Sequence, residues 1–196
     1  MSLTAMKYLS FALSTPTYYI TALSFKFCYL EFDHLLLLSE SLKFNTTLVK
    51  LDLGNNGLKS CVMRFFLAAI EDNKCLADLN VSGNFLDDEF ADDLGYLLEE
   101  NCTLHTVDIS NNPIGPESAK NLLRYLLQSN DTLESLGDLS TNLLMGVRNR
   151  EEIRQCLSLN TSNHERKRRI MDKIQATKQN FINEKDMPAP NDPMQK

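Results

Sequence analysis

Apolar residues recur along this chain in a fixed order and alternate with polar positions. The clearest copy runs from Leu48 to Leu58 and reads L-x-x-L-x-L-x-x-N-x-L. Alternating apolar residues followed by an asparagine predict a short strand that ends in a tight turn. Similar copies begin at four other positions: Ile20, Leu76, Leu104 and Leu133. In the first of these Cys28 replaces the asparagine, and in the last one extra residue occurs at Gly137 or Asp138.

The copies are far enough apart for a helix to lie between consecutive strands. An asparagine marks each repeat boundary, with steps of 28, 28, 29 and 30 residues: Asn45, Asn73, Asn101, Asn130 and Asn160. Apolar residues stand eleven, seven and three positions before three of these asparagines, and this spacing predicts the buried stripe of an amphipathic helix. The stripe residues are Val62, Phe66 and Ile70, then Phe90, Leu94 and Leu98, then Ala119, Leu123 and Leu127.

A strand, a turn and a helix that repeat with this period are typical of leucine-rich repeats. The sequence therefore predicts an α/β fold, a leucine-rich repeat solenoid of the ribonuclease-inhibitor-like class. Its parallel strands are expected on the concave face and its helices on the convex face.

The pattern divides the chain into four segments. Residues 1–16 carry Met6, Leu9 and Leu13 at helical spacing and predict an N-terminal capping helix, although a remnant of a further repeat fits equally well. About five repeats are expected over 17–162. A basic C-terminal helix is predicted over 163–186, and residues 187–196 have little to bury and predict a disordered tail.

The middle residue of each L-x-L should face away from the core, because alternate strand residues point to opposite sides. Two neighbouring columns of such residues give the predicted partner-binding residues of the concave face: Lys50, Asp52, Asp78, Asn80, Thr106, Asp108 and Asp138. Adjacent strands lie about 4.8 Å apart, so the carboxylates should form one acidic patch. This acidic patch predicts a binding site for a basic protein surface. The alternative is a solvated face whose polar residues only keep the repeat array soluble.

The formal net charge is −6, which gives no reason to expect nucleic-acid binding. A basic run stands apart in the predicted C-terminal helix: Arg166, Lys167, Arg168 and Arg169. These residues predict a second partner contact, to an acidic protein surface such as a cytoskeletal filament. A nuclear-import signal and a merely solvated helix face are the alternatives, and no aromatic residues interleave with the run as in single-strand nucleic-acid binders.

Two sets of asparagines have predicted structural roles. The asparagines at the turns should bond backbone groups of their own turn and the next: Asn56, Asn84, Asn112 and Asn142. Four N-x-S/T sequons occur at the boundary asparagines Asn45, Asn101, Asn130 and Asn160, and the first three of these share one repeat phase. The repeat itself therefore explains them, and we expect no glycosylation.

No catalytic or metal-binding pattern is recognisable. The sequence has no Ser/His/Asp order, Cys/His pairing, phosphate-binding glycine loop or metal-ligand spacing, which predicts a protein that is not an enzyme and needs no cofactor. The five cysteines are odd in number and form no C-x-x-C pair, which favours reduced thiols in the cytoplasm. We expect no membrane span and a monomer, with a nuclear location also open.

Within the ribonuclease-inhibitor-like superfamily, the chain resembles the leucine-rich repeat domain of tropomodulins and leiomodins. Three stretches carry this resemblance: residues 73–86, the irregular segment 132–137, and the run 163–169. Those families cap or nucleate actin filaments, so the resemblance implies an actin contact and gives the basic run at 166–169 as candidate contacts. Their N-terminal tropomyosin- and actin-binding helical region has no counterpart here.

The chain is also similar to ciliary and flagellar repeat proteins, which implies axonemal partners. The GTPase-activating protein of Ran shares the repeat type, but its arginine-bearing motif and acidic tail are not recognisable. We therefore predict a non-enzymatic protein–protein interaction scaffold with a cytoskeletal or ciliary partner. A regulatory protein that inhibits an enzyme or activates a GTPase is the alternative.

Overall fold

A computed structural model describes residues 1–15 and 17–161, in which helices and strands alternate. The helices are α1 (Leu3–Ser14), α2 (Phe32–Leu42), α3 (Ser60–Ile70), α4 (Asp88–Glu100) and α5 (Pro116–Gln128). The strands are β1 (Ala22–Ser24), β2 (Lys50–Asp52), β3 (Asp78–Asn80) and β4 (Thr106–Asp108). A 3-10 turn covers Leu139–Thr141, and residues 147–161 are helical. The predicted basic helix at 163–186 and the tail at 187–196 lie outside the described residues.

The four strands form one parallel sheet in chain order, β1-β2-β3-β4. Their register follows the sequence repeat, so that Lys50 pairs with Ala22 on one side and Asp78 on the other. The fifth copy of the pattern contributes only an isolated bridge between Thr106 and Ser135. After this bridge the extra residue sends the chain through Gly137, at φ +76°, into the 3-10 turn. The fold is thus the predicted α/β leucine-rich repeat solenoid.

The core lies between the sheet and the helices. The apolar residues of the pattern are buried, as Leu51 and Leu53 show, together with Phe66 and Ile70 of α3. Val62 of that helix is only partly buried, because Met63 takes the inner position. Burial of such side chains removes apolar surface from water and is the main stabilising contribution.

The predicted stripe of α5 is right at the buried Ala119 but wrong by one residue at its other two positions. Leu122 and Leu126 are buried, whereas Leu123 is partly buried and Leu127 is 63% exposed. The 29-residue step places its extra residue after α5, at Ser129, where the helix ends. Counting back seven and three residues from Asn130 therefore stops one residue short of the buried Leu122 and Leu126.

The turn asparagines form a ladder that joins consecutive repeats. Asn84 Nδ2 donates to Val81 O in its own turn at 2.7 Å and to Leu53 O of the preceding repeat at 3.2 Å. Its Oδ1 accepts from Asn56 N and Leu58 N, both at 3.0 Å. The predicted structural role is therefore confirmed, but each side chain bonds the preceding turn where we expected the next.

The boundary asparagines form a second ladder at the other end of the helices. Asn101 Nδ2 donates to Ile70 O and Asn73 O, and its Oδ1 accepts from Thr103 N and Leu104 N. All five boundary asparagines are buried. Each of their amides therefore satisfies backbone groups that the bend between helix and strand would otherwise leave unpaired.

Helix α1 joins this second ladder although no strand precedes β1 among the described residues. Asn45 Nδ2 donates to Leu13 O at 2.7 Å, as Asn73 Nδ2 donates to Leu42 O at 2.8 Å. The helix packs against α2 and buries Met6 and Leu13. It therefore occupies a helix position of the array, next to α2.

Candidate functional site: an acidic concave face

Six of the seven predicted concave residues surround one shallow depression of about 350 Å³ on the sheet. We call them the acidic concave patch: Lys50, Asp52, Asp78, Asn80, Thr106 and Asp108. They come from three adjacent strands, β2, β3 and β4, which the parallel register aligns side by side. The depression also reaches Leu51 and Leu79, the buried residues between the polar columns.

One ion pair crosses the patch. Lys50 Nζ lies 2.6 Å from Asp78 Oδ2 on the neighbouring strand, and both side chains remain partly open to solvent. Exposed ion pairs of this kind contribute about 1 kcal/mol or less to stability. A charged group of a partner can therefore replace Lys50 beside Asp78 at low cost in free energy. Among the described residues, Asp52 and Asp108 make no ion pair, and the patch therefore keeps a negative balance.

The central column of the patch also closes the turns that follow the strands. Asp52 Oδ1 accepts from Gly54 N, Asn80 Oδ1 from Ser82 N, and Asp108 Oδ1 from Ser110 N, at 2.8–3.0 Å. Sequence reasoning missed this role. The available signal was an Asp or Asn placed two residues before a Gly or Ser at each strand end, which is typical of Asx-turns. The turns hold these side chains in place without neutralising the carboxylates.

Asp138, the seventh predicted residue, lies outside the column in which we placed it. The bridge between Thr106 and Ser135 puts Gly137 opposite Asp108, because one extra residue stands at this point. A Cβ at Gly137 would collide with Asp108 Oδ1, so the column ends here without a side chain.

Asp138 instead caps the following 3-10 turn. Its Oδ1 accepts from Ser140 Oγ and Ser140 N. The guanidinium Nη2 of Arg154 lies 3.8 Å from the same oxygen. The hydrogen bonds from Ser140, helped by the nearby Arg154 and Arg150, hold the pKa of Asp138 below its usual range.

Other predicted features fall outside the patch or outside the structure. Arg166, Lys167, Arg168 and Arg169 lie beyond the described residues. No group of three or more His, Cys, Asp or Glu in residues 1–15 and 17–161 could hold a metal ion. Within the same part of the chain no helix is long and apolar enough to span a bilayer.

The repeat pattern is matched by a family model described as "Leucine Rich repeat", over residues 44–60 and 100–123. The chain is similar to "NACHT, LRR and PYD domains-containing protein 9B" of Mus musculus, with 31% identity over 126 residues. That similarity covers 64% of this chain, which spans 13% of the length of the mouse protein.

Two solved structures share the fold. One is described as "Leiomodin-1 Actin-Binding Site 2 (ABS2)", with a TM-score of 0.68, 22% identity, and coverage of 89% of this chain and 95% of that one. The other is the tropomodulin C-terminal domain of Caenorhabditis elegans, with a TM-score of 0.69, 16% identity, and coverage of 86% and 98%. The chain thus has a leucine-rich repeat fold, and this fold resembles that of the repeat domains of tropomodulins and leiomodins.

Proposed function

We propose that this chain is a non-enzymatic protein–protein interaction module that binds a basic surface of its partner through the acidic concave patch. The observation that carries the proposal is the convergence of Asp52, Asp78 and Asp108 on one open depression. The sheet and the Asx-turns form this surface before any partner arrives. Binding therefore costs little ordering of the module.

Electrostatic complementarity identifies the chemistry of the partner. Lysine or arginine side chains of the partner can bond Asp52 and Asp108, and one of them can replace Lys50 beside Asp78. A cytoplasmic cytoskeletal or axonemal protein is the proposed class of partner. Actin is one candidate, because the similar leiomodin structure is described as an actin-binding site. The basic run at 166–169 remains a proposed second contact.

The test neutralises the patch without changing its shape. Asp52→Asn with Asp108→Asn keeps an oxygen in place to accept from Gly54 N and Ser110 N but removes both charges. Glu99→Gln with Glu100→Gln removes two exposed charges at the end of α4 and serves as the matched control. Each tagged full chain is used for affinity capture from native extract with mass spectrometry, and for co-sedimentation with filamentous actin.

We expect the wild type and the α4 variant to retain the same basic partner and the concave variant to lose most of it. Retention should fall as salt is raised above about 0.15 M, because screening weakens contacts between exposed charges. Equal capture by all three proteins would refute the role of the concave patch. Recovery of a GTPase or another enzyme, with a change in its rate, would instead favour the regulatory alternative.

A further inference from the structure

The residues that directly follow the ladder positions in the turns form a row of their own. In each turn a backbone N–H bonds the asparagine of the next repeat, as Asn56 N donates to Asn84 Oδ1 at 3.0 Å. The same bond recurs in the next two turns, so the row keeps one position per repeat. All of its members are exposed, and we call them the turn row: Tyr29, Gly57, Phe85, Pro113 and Leu143.

Large and small residues alternate along the turn row. Tyr29 and Leu143 are 83% and 84% exposed, and Phe85 is 64% exposed. Gly57 and Pro113 stand between these larger residues and leave two gaps in the row. An aromatic ring lines the first gap, because a Cβ added at Gly57 would meet the Phe85 ring at 3.6 Å. Single exposed apolar side chains are common, whereas a contiguous line of them marks an interaction surface.

Tyr29 holds its ring in the turn row at a conformational cost. Its φ angle is +52°, and Gly57, at the corresponding position of the next repeat, has a φ angle of +72°. Glycine tolerates this left-handed region, but a tyrosine adopts it rarely. Residues held in such conformations cluster at functional sites. The backbone at Tyr29 therefore favours a binding role for this end of the row.

The turn row and the acidic concave patch have the same spacing. Asp52 stands five residues before Gly57, and Asp108 stands five residues before Pro113. The two carboxylates and the two gaps are therefore each two repeats apart, which is about 10 Å, because paired strands lie about 4.8 Å apart.

This spacing matches an α-helix. Seven residues of an α-helix rise about 10.5 Å, and residues seven positions apart lie on one face. In an extended segment three residues span about 10 Å, but residues three positions apart point to opposite sides. A helix that crosses the repeats can therefore reach both gaps with one face, whereas a strand cannot.

Resting on the function proposed for the acidic concave patch, we propose that this patch and the turn row together bind one α-helix of the partner protein. Its apolar residues, seven positions apart, enter the two gaps and cover Tyr29, Phe85 and Leu143. Its basic residues recur at the same interval and bond Asp52 and Asp108. Charge complementarity selects a basic helix, and the apolar row selects one that is amphipathic.

The probe is a designed fluorescent peptide of about 21 residues, which is three heptads, on a background of alanine and glutamine. It carries leucine at every seventh position and lysine three positions after each leucine. A control peptide of the same composition carries both residue types at every fifth position, which spreads them around the helix. Binding to the full chain is measured by fluorescence anisotropy, and circular dichroism checks the helicity of both peptides.

Three protein variants separate the two surfaces. Phe85→Ser removes the central ring of the turn row. Phe44→Ser is the matched control, because Phe44 is 72% exposed and lies at the opposite corner, between α2 and β2. Asp52→Asn with Asp108→Asn removes the charges of the patch, and circular dichroism checks the fold of each variant.

We expect saturable binding of the heptad probe to the wild type and to Phe44→Ser. Affinity should be at least tenfold weaker for Phe85→Ser, for the double aspartate variant and for the respaced peptide. Equal binding of the two peptides, or no saturable binding up to about 1 mM, would overturn the partner helix. Affinity capture from native extract then still tests the acidic concave patch by itself.

The remaining outcomes separate the turn row from the patch. Weaker binding of the aspartate variant alone, with Phe85→Ser like the wild type, would leave the proposed function standing and overturn the role of the turn row. Unchanged binding of the aspartate variant would refute the patch and the partner helix together. Self-association of the chain that Phe85→Ser abolishes, without peptide binding, would assign the row to a second copy and would also overturn the proposal.

Discussion

Asn84 illustrates how single side chains hold this array together. Its amide accepts from Asn56 N and Leu58 N and donates to Leu53 O, Val81 O and Ser82 O. The side chain is buried, so no solvent can replace these bonds when the amide is removed. Among short side chains, only asparagine offers an acceptor and two donors together.

Replacement of Asn84 by alanine should lower the free energy of unfolding by about 2–4 kcal/mol, because several buried backbone groups lose their partner. The matched control is Asn80→Ala, which removes one hydrogen bond, to Ser82 N, on the partly open concave face. We expect the control to lose less than about 1.5 kcal/mol. Chemical denaturation of both variants measures the difference, and equal losses would contradict the special role of the turn ladder.

The role of a single residue could be predicted from the sequence where the same residue type occupies the same position in successive repeats. The turn asparagines could be assigned a structural role because Asn56, Asn84 and Asn112 stand at the same place in successive copies. The second role of Asp52 and Asp108 was harder to predict, since a strand-end carboxylate that closes an Asx-turn and one that only faces solvent occupy the same sequence position.

At the scale of an element, α5 shows that packing decides which face of a helix is buried. Its buried residues Leu122, Tyr125 and Leu126 continue the inner rows of α4. Tyr125 lies against Gly95 of α4, where an added Cβ would collide with the ring. The absence of a side chain at Gly95 therefore makes room for the ring and fixes α5 in this rotation.

Leu122→Ala should destabilise the protein by about 2–5 kcal/mol, because it leaves a cavity in a fully buried position. Leu123→Ala, one residue further along the same helix, should cost under about 2 kcal/mol, because less apolar surface leaves water there. Thermal and urea unfolding of the two variants test the helix rotation directly. A larger loss of stability for Leu123→Ala than for Leu122→Ala would instead support the buried stripe that the sequence spacing predicted.

On the scale of the whole molecule, the boundary ladder passes through every repeat and contains four of the five sequon asparagines, all except Asn80. Asn45, Asn101 and Asn130 each donate through Nδ2 to backbone oxygens, and Asn160 Nδ2 donates to Leu133 O. A glycan is attached to this same nitrogen. A modified asparagine therefore cannot take its place in the ladder.

We predict that folded chain recovered from a secretory expression host carries no glycan at Asn101 or Asn130. Mass spectrometry before and after peptide:N-glycosidase treatment measures this. Thr103→Ala removes the sequon at Asn101 and keeps the backbone N–H that bonds its Oδ1, so it should raise or leave unchanged the yield of folded protein. A stable, folded chain with a glycan on Asn101 would show that the ladder is dispensable.

The fold as a whole could be predicted because one period governs strand, turn and helix alike. The position of Asp52, Asp78 and Asp108 followed from the same period and from strand alternation. The rest depends on features that occur once. The displacement of Asp138 arises from a single extra residue.

Two of the extra residues differ in what they disturb, and this difference sets where the chain can change length. The one at Ser129 extends a connection, and Asn130 still bonds Leu98 O and Asn101 O. The one near Gly137 coincides with the loss of a strand, and the buried Asn142 Nδ2 has no partner among the described residues. Insertions and deletions during divergence should therefore accumulate at the corner between helix and strand, whereas the corner between strand and turn should keep a fixed length.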